Sequence, residues 1–172
     1  MMDDAGLEQA IRAAFDPLPI LATNNLLTVN NSNDPDAIEI RRRFGGKSWP
    51  ILLQELLDMD ITERNFFHSL FYLFTHLAFH YYLPAFMLIT LKPIQADLVG
   101  EYLFYALTPS EVSGDFVDRW FNALAALVTP VQREAIRSLI LSVSVQCQQL
   151  QIGDITDEEN LRRYWYPEGF PE

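Results

Sequence analysis

The sequence predicts a mainly α-helical fold, and three observations carry that prediction. Apolar residues recur at three- and four-residue spacings in successive segments. Capping residues, several followed by proline, stand ahead of those segments. Residues 65–91 contain no Asp, Glu, Lys or Arg and carry six Phe and three Tyr, so this stretch is the core around which the amphipathic segments pack. At 172 residues the chain fits one domain over 1–172, burying roughly 70% of its unfolded surface.

Asp3 or Asp4 caps a first helix through Phe15, with Leu7, Ile11 and Phe15 on one face and Pro17 and Pro19 beyond its end. Residues 20–33 form an Asn-rich connection whose apolar run, Leu26 to Val29, is either a strand fragment or a packed loop. Asp34-Pro35 reads as a cap followed by proline at the first helical position, and Gly45-Gly46 ends that helix. Trp49-Pro50 opens the next, with Leu52, Leu53, Leu56 and Leu57 as its buried stripe.

Asp60 and Glu63 give a capping-box-like start to the aromatic stretch, and Thr75 begins a second helix inside it, His76 to Leu91. That helix is apolar on nearly every face, which places it at the centre. Pro84 lacks the N–H that would reach the carbonyl of His80, so a kink or break is expected at Leu83. A helix over Gln95 to Leu107 follows, then one capped by Ser113 or Asp115 with a Phe116, Trp120, Leu124, Leu127 stripe.

Thr129-Pro130-Val131-Gln132 combines a Thr cap, a first-position proline and a third-position Gln, and its helix runs to about Gln148 with Val131, Ala135, Leu139 and Val143 inward. Gly153 closes it; Thr156 with Glu159 starts a last short helix bearing the acid-first pairs Glu158–Arg162 and Glu159–Arg163. Residues 165–172 are an aromatic tail.

The formal charge of −11, from 23 acids and 12 bases, opposes binding to nucleic acid or to an anionic membrane surface and leaves a basic protein as the partner it suits. One cysteine, Cys147, excludes an internal disulfide framework. The acidic amino-terminal stretch lacks the bases and apolar run of a secretory signal, so a cytoplasmic location is expected. Residues 65–91 are long enough to span a bilayer, but Asn65, His68, His76, His80 and Pro84 lie inside them and no Lys/Arg-rich flank accompanies them.

Candidate chemistry is sparse. Gly46-Lys47-Ser48 resembles the end of a phosphate-binding loop, yet position 41 is Arg41 where that motif needs glycine, so it reads as a helix C-terminus. His76 and His80 are one turn apart, the spacing of two metal ligands, but no carboxylate accompanies them and Leu77 stands where HExxH has Glu; no metal or cofactor is assigned. Arg41, Arg42 and Arg43 suit the negative end of their helix. Asp154, Asp157, Glu158 and Glu159 are the run suited to docking a basic partner, or else a solvated helix start. No GxSxG, HExxH, CxxC or GxGxxG occurs, and no catalytic residue is assigned.

Ala37 to Trp49 (AIEIRRRFGGKSW), the YYLPA run Tyr81 to Ala85 with Phe86-Met87, and the Thr129–Gln132 helix start together resemble a bacterial family known as a domain of unknown function. The resemblance implies one compact domain and carries no residue roles. Size, charge and the lack of catalytic motifs point to a non-enzymatic protein-binding module, such as an immunity-type inhibitor of a basic toxin. The alternative is a small-ligand binder or enzyme with a pocket in the aromatic core near His76, His80 and Tyr82.

Overall fold

Asp3 accepts a hydrogen bond from the Gly6 N–H at 2.9 Å, and the helix it caps, α1 (Asp4–Phe15), buries Leu7, Ile11 and Phe15 as their spacing predicts. The computed structural model describes residues 3–16, 18, 20–22, 25–28, 33–60, 73–92, 96–110, 116–150 and 158–169, with backbone alone at 96–98, 148–150 and 158. Eight helices make up the regular structure of these described residues, so the chain is all-α. They fall into two compact units: Pro17–Tyr102, and Met1–Asp16 with Leu103–Glu172.

In the Pro17–Tyr102 unit, α2 (Pro35–Phe44) starts where Asp34 accepts from the N–H groups of Asp36 and Ala37, at 2.8 and 3.4 Å. It buries Ala37, Ile40 and Phe44, while Ile38 faces solvent. Gly45 ends it, and Gly46 takes φ 73°, a left-handed turn that glycine enters without steric cost. The next helix, α3 (Trp49–Asp58), buries Trp49, Leu52, Leu53 and Leu56, with Leu57 only half-buried, and packs on α4 (His76–Thr90).

The Thr75 hydroxyl caps α4 by accepting from Ala78 N–H at 3.0 Å. Every residue from Tyr81 to Thr90 is buried, which places α4 at the centre of its unit. The helix runs through Pro84 without interruption, so of the kink or break expected at Leu83 the break does not occur. An internal proline costs about 3 kcal/mol, whereas each large apolar side chain buried beyond it contributes about 1.5–3 kcal/mol. Phe86, Met87, Leu88 and Ile89 together outweigh one lost hydrogen bond.

The run at Leu26 resolves as a packed loop with a single antiparallel bridge, Leu27 to Phe74. Thr28 N–H donates to Leu73 O at 2.8 Å and Thr75 N–H to Leu26 O at 3.2 Å, while Leu26 and Leu27 are buried. This loop therefore holds the start of α4. Asp60 is exposed, while Glu63 and residues 65–72 of the aromatic stretch lie outside the described residues.

In the other unit, α1 packs on α7 (Pro130–Leu150). The expected capping box forms reciprocally: Gln132 Oε1 accepts from Thr129 N–H at 3.0 Å and Thr129 Oγ1 from Gln132 N–H at 3.3 Å. The inward face of α7 holds Ala135, Ile136, Leu139, Ile140 and Val143, while Val131 is 65% exposed. Val131 sits in the first turn, beside the cap, where only the one-residue shift to Gln132 brings a side chain inward.

Helix α5 (Ala96–Leu107) spans the boundary between the units in sequence. In α6 (Phe116–Ala125) the buried residues are Trp120, Phe121 and Leu124, and Phe116 is half exposed. Trp120 and Leu124 of the expected stripe are thus buried, with Phe121 beside them, whereas Phe116 is half exposed and Leu127 half-buried; Ser113 and Asp115 are outside the described residues. The last helix, α8 (Glu158–Trp165), buries Leu161 and Trp165.

Candidate functional site

Two adjacent tyrosines of α4 hold the turn that contains Gly46-Lys47-Ser48. Tyr82, 1% exposed, donates its hydroxyl to Phe44 O at 2.5 Å and approaches Lys47 O at 3.1 Å; a phenol has one proton, so these are two acceptors of one donor. The Trp49 backbone N–H bonds to Tyr81, which supplies the start of α3 with the partner that Ser48 does not provide. Burial raises both phenols' pKa, with the Trp49 N–H partly opposing this at Tyr81 and the neighbouring Tyr81 adding to it at Tyr82. Lys47 is paired with Glu55 at 2.5 Å. The turn is a structural joint, its cation committed to a carboxylate.

His76 and His80 are each half-buried on α4, and His68 lies outside the described residues. Among the described residues no group of three or more His, Cys, Asp or Glu stands close enough to hold a metal ion. The third residue of the expected ligand pocket, Tyr82, has its hydroxyl bonded as above and its ring 5.2 Å from Phe44 and 4.8 Å from Tyr81. Phe44 also meets Phe74 edge-on at 5.0 Å, so these rings fill the space around Tyr82.

Of the acidic run, Asp154 and Asp157 lie outside the described residues and Glu158 is described by its backbone as the first residue of α8. Glu159 is exposed and pairs with Arg163 at 2.7 Å, the acid-first spacing the sequence predicts. Behind it, Trp165 and Tyr166 at the start of the aromatic tail fold back on their own unit. Trp165, 1% exposed, donates its indole N–H to Leu107 O at 2.8 Å, and the Tyr166 hydroxyl donates to Arg137 O.

Two arginines one turn apart on α7 receive that tail, and the sequence reading did not single them out. The Arg133 guanidinium lies 5.0 Å from the Tyr164 ring centre and 4.9 Å from that of Trp165, and donates to the Tyr164 hydroxyl at 3.1 Å. Arg137 lies 4.6 Å from the Tyr166 ring centre and pairs with Glu168. Burial pushes the Tyr166 phenol up to about 12 against the opposing charge of Arg137. Glu168 is lowered by its own backbone N–H and by Arg137. The available signal was the i, i+4 arginine pair, matched to a tail dense in aromatic rings.

Three further basic side chains are also engaged within the molecule. Arg12 pairs with Glu8 at 2.8 Å, and Arg42 with Glu39 at 2.7 Å, while Arg43 bonds the same carboxylate. The Arg42 hydrogen bond, with Arg43 assisting and partial burial opposing, lowers Glu39 to about 2. Arg42 and Arg43 of the Arg41–Arg43 run thus serve their own helix.

The class these features define is an acidic, all-helical protein in which Arg12, Arg42, Arg43, Lys47, Arg133, Arg137 and Arg163 are engaged internally. Comparison with protein-family models, curated proteins and solved structures finds no match to the chain. Among the described residues no helix is long and apolar enough to cross a membrane.

Proposed function

We infer that the protein is a non-enzymatic binding module that docks a basic protein through its acidic surface, with an immunity-type inhibitor of a basic toxin as its most concrete form. The observation that carries this reading is how charge is spent. The chain has 23 acids against 12 bases, and Arg12, Arg42, Arg43, Lys47, Arg137 and Arg163 each lie against a carboxylate of the same molecule. Each such pair cancels at long range, so the field an incoming partner meets is set by the net charge of −11. Such a field steers basic proteins at long range and weakens with salt. The run Asp154, Asp157, Glu158 and Glu159 is the docking element proposed within that surface. A location in the cytoplasm and membership of the bacterial family suggested by the YYLPA and FGGKSW stretches belong to the same proposal.

The test is affinity capture from native lysate at low and at high salt, followed by reconstitution with the purified captured protein. A basic protein retained at low salt, shed at high salt, and bound more weakly by the D157K/E158K/E159K variant supports the reading. Capture of nothing, or of proteins with no basic bias and no salt dependence, overturns it.

A further inference from the structure

The carboxy-terminal segment 158–169 is fastened unlike the helix it lies on. Helix α7 holds its place with a continuous apolar face, Ala135, Ile136, Leu139, Ile140 and Val143. The segment buries only Leu161, Trp165 and Tyr166 among its described side chains, and many of its other grips are polar or cationic. They include the indole bond to Leu107 O, the Tyr166 bond to Arg137 O, the Arg137–Glu168 pair, and the Arg133 guanidinium beside Tyr164 and Trp165. Three buried side chains must offset the conformational entropy of roughly a dozen ordered residues. A short element held this way stands at the low end of local stability, where a segment opens without the rest of its domain.

We propose that residues 158–169 form a reversible clasp that undocks from α7 as one piece while α7 and its packing on α1 persist. Arg133 and Arg137 are its catch. They stand one turn apart on the rigid element, and each meets an aromatic ring of the movable one. The Phe121 ring, 4.8 Å from Tyr164 and edge-on to it, forms the other wall. Undocking uncovers Arg133, Arg137 and Phe121 together, a cationic and aromatic face whose fitting occupant is the clasp itself. The clasp does not rest on the docking role proposed for the acidic surface, although it carries Glu158 and Glu159 of that run.

Hydrogen exchange of the full-length protein, followed by mass spectrometry and corrected for intrinsic rates, tests this. Amides of 161–166 are expected to exchange at least tenfold faster than those of 136–143. Arg133→Gln should accelerate 161–166 by roughly five- to thirtyfold, the effect of losing a partly desolvated cation–ring contact, and leave 136–143 unchanged. Glu168→Gln, a milder change, should act in the same direction. Equal protection of the two segments, or acceleration of both together by either variant, shows that the segment opens only with global unfolding and overturns the proposal. Fast exchange in 161–166 that neither substitution alters overturns the assignment of the catch.

Discussion

Tyr82 donates its hydroxyl to the Phe44 carbonyl across 38 positions of sequence, fastening the central helix α4 to the last turn of α2. The bond is buried, and Tyr81 beside it engages the first turn of α3, so one Tyr-Tyr pair fixes both sides of the 45–48 turn. Tyr82→Phe keeps the ring packing and removes only the donor. Phe44 O retains the Lys47 N–H at 3.2 Å, so the carbonyl is not orphaned. The expected cost is about 0.5–1.5 kcal/mol, read as a fall in thermal midpoint of roughly 2–4 °C per kcal/mol. Tyr82→Ala also empties the ring site and should cost about 3–5 kcal/mol. A Tyr82→Phe variant as unstable as Tyr82→Ala would refute the division between ring and hydroxyl.

Pro84 sits buried inside α4, where its helix continues despite the missing N–H. Pro84→Ala restores a donor directed toward the His80 carbonyl and removes the ring's crowding, a gain of about 3 kcal/mol. It also deletes two buried methylenes, a loss of about 1.6 kcal/mol. The balance is a net stabilisation of about 1 kcal/mol, visible as a higher urea midpoint at unchanged slope. A lower midpoint would mean that the ring's packing contributes more than its lost hydrogen bond costs.

The helix starts were legible because capping is local. Asp3, Asp34, Thr75 and the Thr129–Gln132 box each act within three residues, and each bonds as its sequence pattern requires. The all-round apolar character of 76–91 likewise announced a central helix. Contacts that close over long sequence separation were not legible. Trp165 meets Leu107 across 58 positions and Arg133 meets Tyr164 across 31, and no pattern along the chain marks such partners. That α4 continues past Pro84 was hidden for a related reason: local rules count the lost hydrogen bond but not the burial on either side of it.

Trp165→Phe tests the longest of those closures. Phe retains most of the buried ring but leaves Leu107 O, at the carboxy end of α5, without the indole donor. A buried acceptor deprived of its partner costs about 1–3 kcal/mol. Equilibrium urea unfolding of the full chain measures it, and a cost below about 0.5 kcal/mol would show that water or another donor serves that carbonyl equally well.

Thr129→Ala removes one half of a reciprocal cap. Gln132 is 3% exposed, so its backbone N–H loses the Thr129 hydroxyl in a place water reaches poorly. The expected loss is about 1 kcal/mol, whereas Thr129→Ser should remain close to the parent because its hydroxyl makes the same bond. Differential scanning calorimetry of the two variants distinguishes a capping effect from mere loss of side-chain volume.

The acid limb of stability should report on Glu39. Its folded pKa of about 2 lies below the ordinary 4.5 because the Arg42 and Arg43 guanidinium groups hold the carboxylate ionised. A depressed carboxyl stabilises the folded state fully above its unfolded pKa and loses that contribution as pH falls through the folded value. The window therefore runs from pH 4.5 down to about 2. The Glu39 side chain is 32% exposed and Arg42 is 65% exposed, so solvent screening reduces the contribution to about 1 kcal/mol. Glu39→Gln should cost that amount at neutral pH and flatten this part of the acid limb. If the variant and the parent lose stability in parallel between pH 4.5 and 2, the Glu39–Arg42–Arg43 cluster does not drive the acid response.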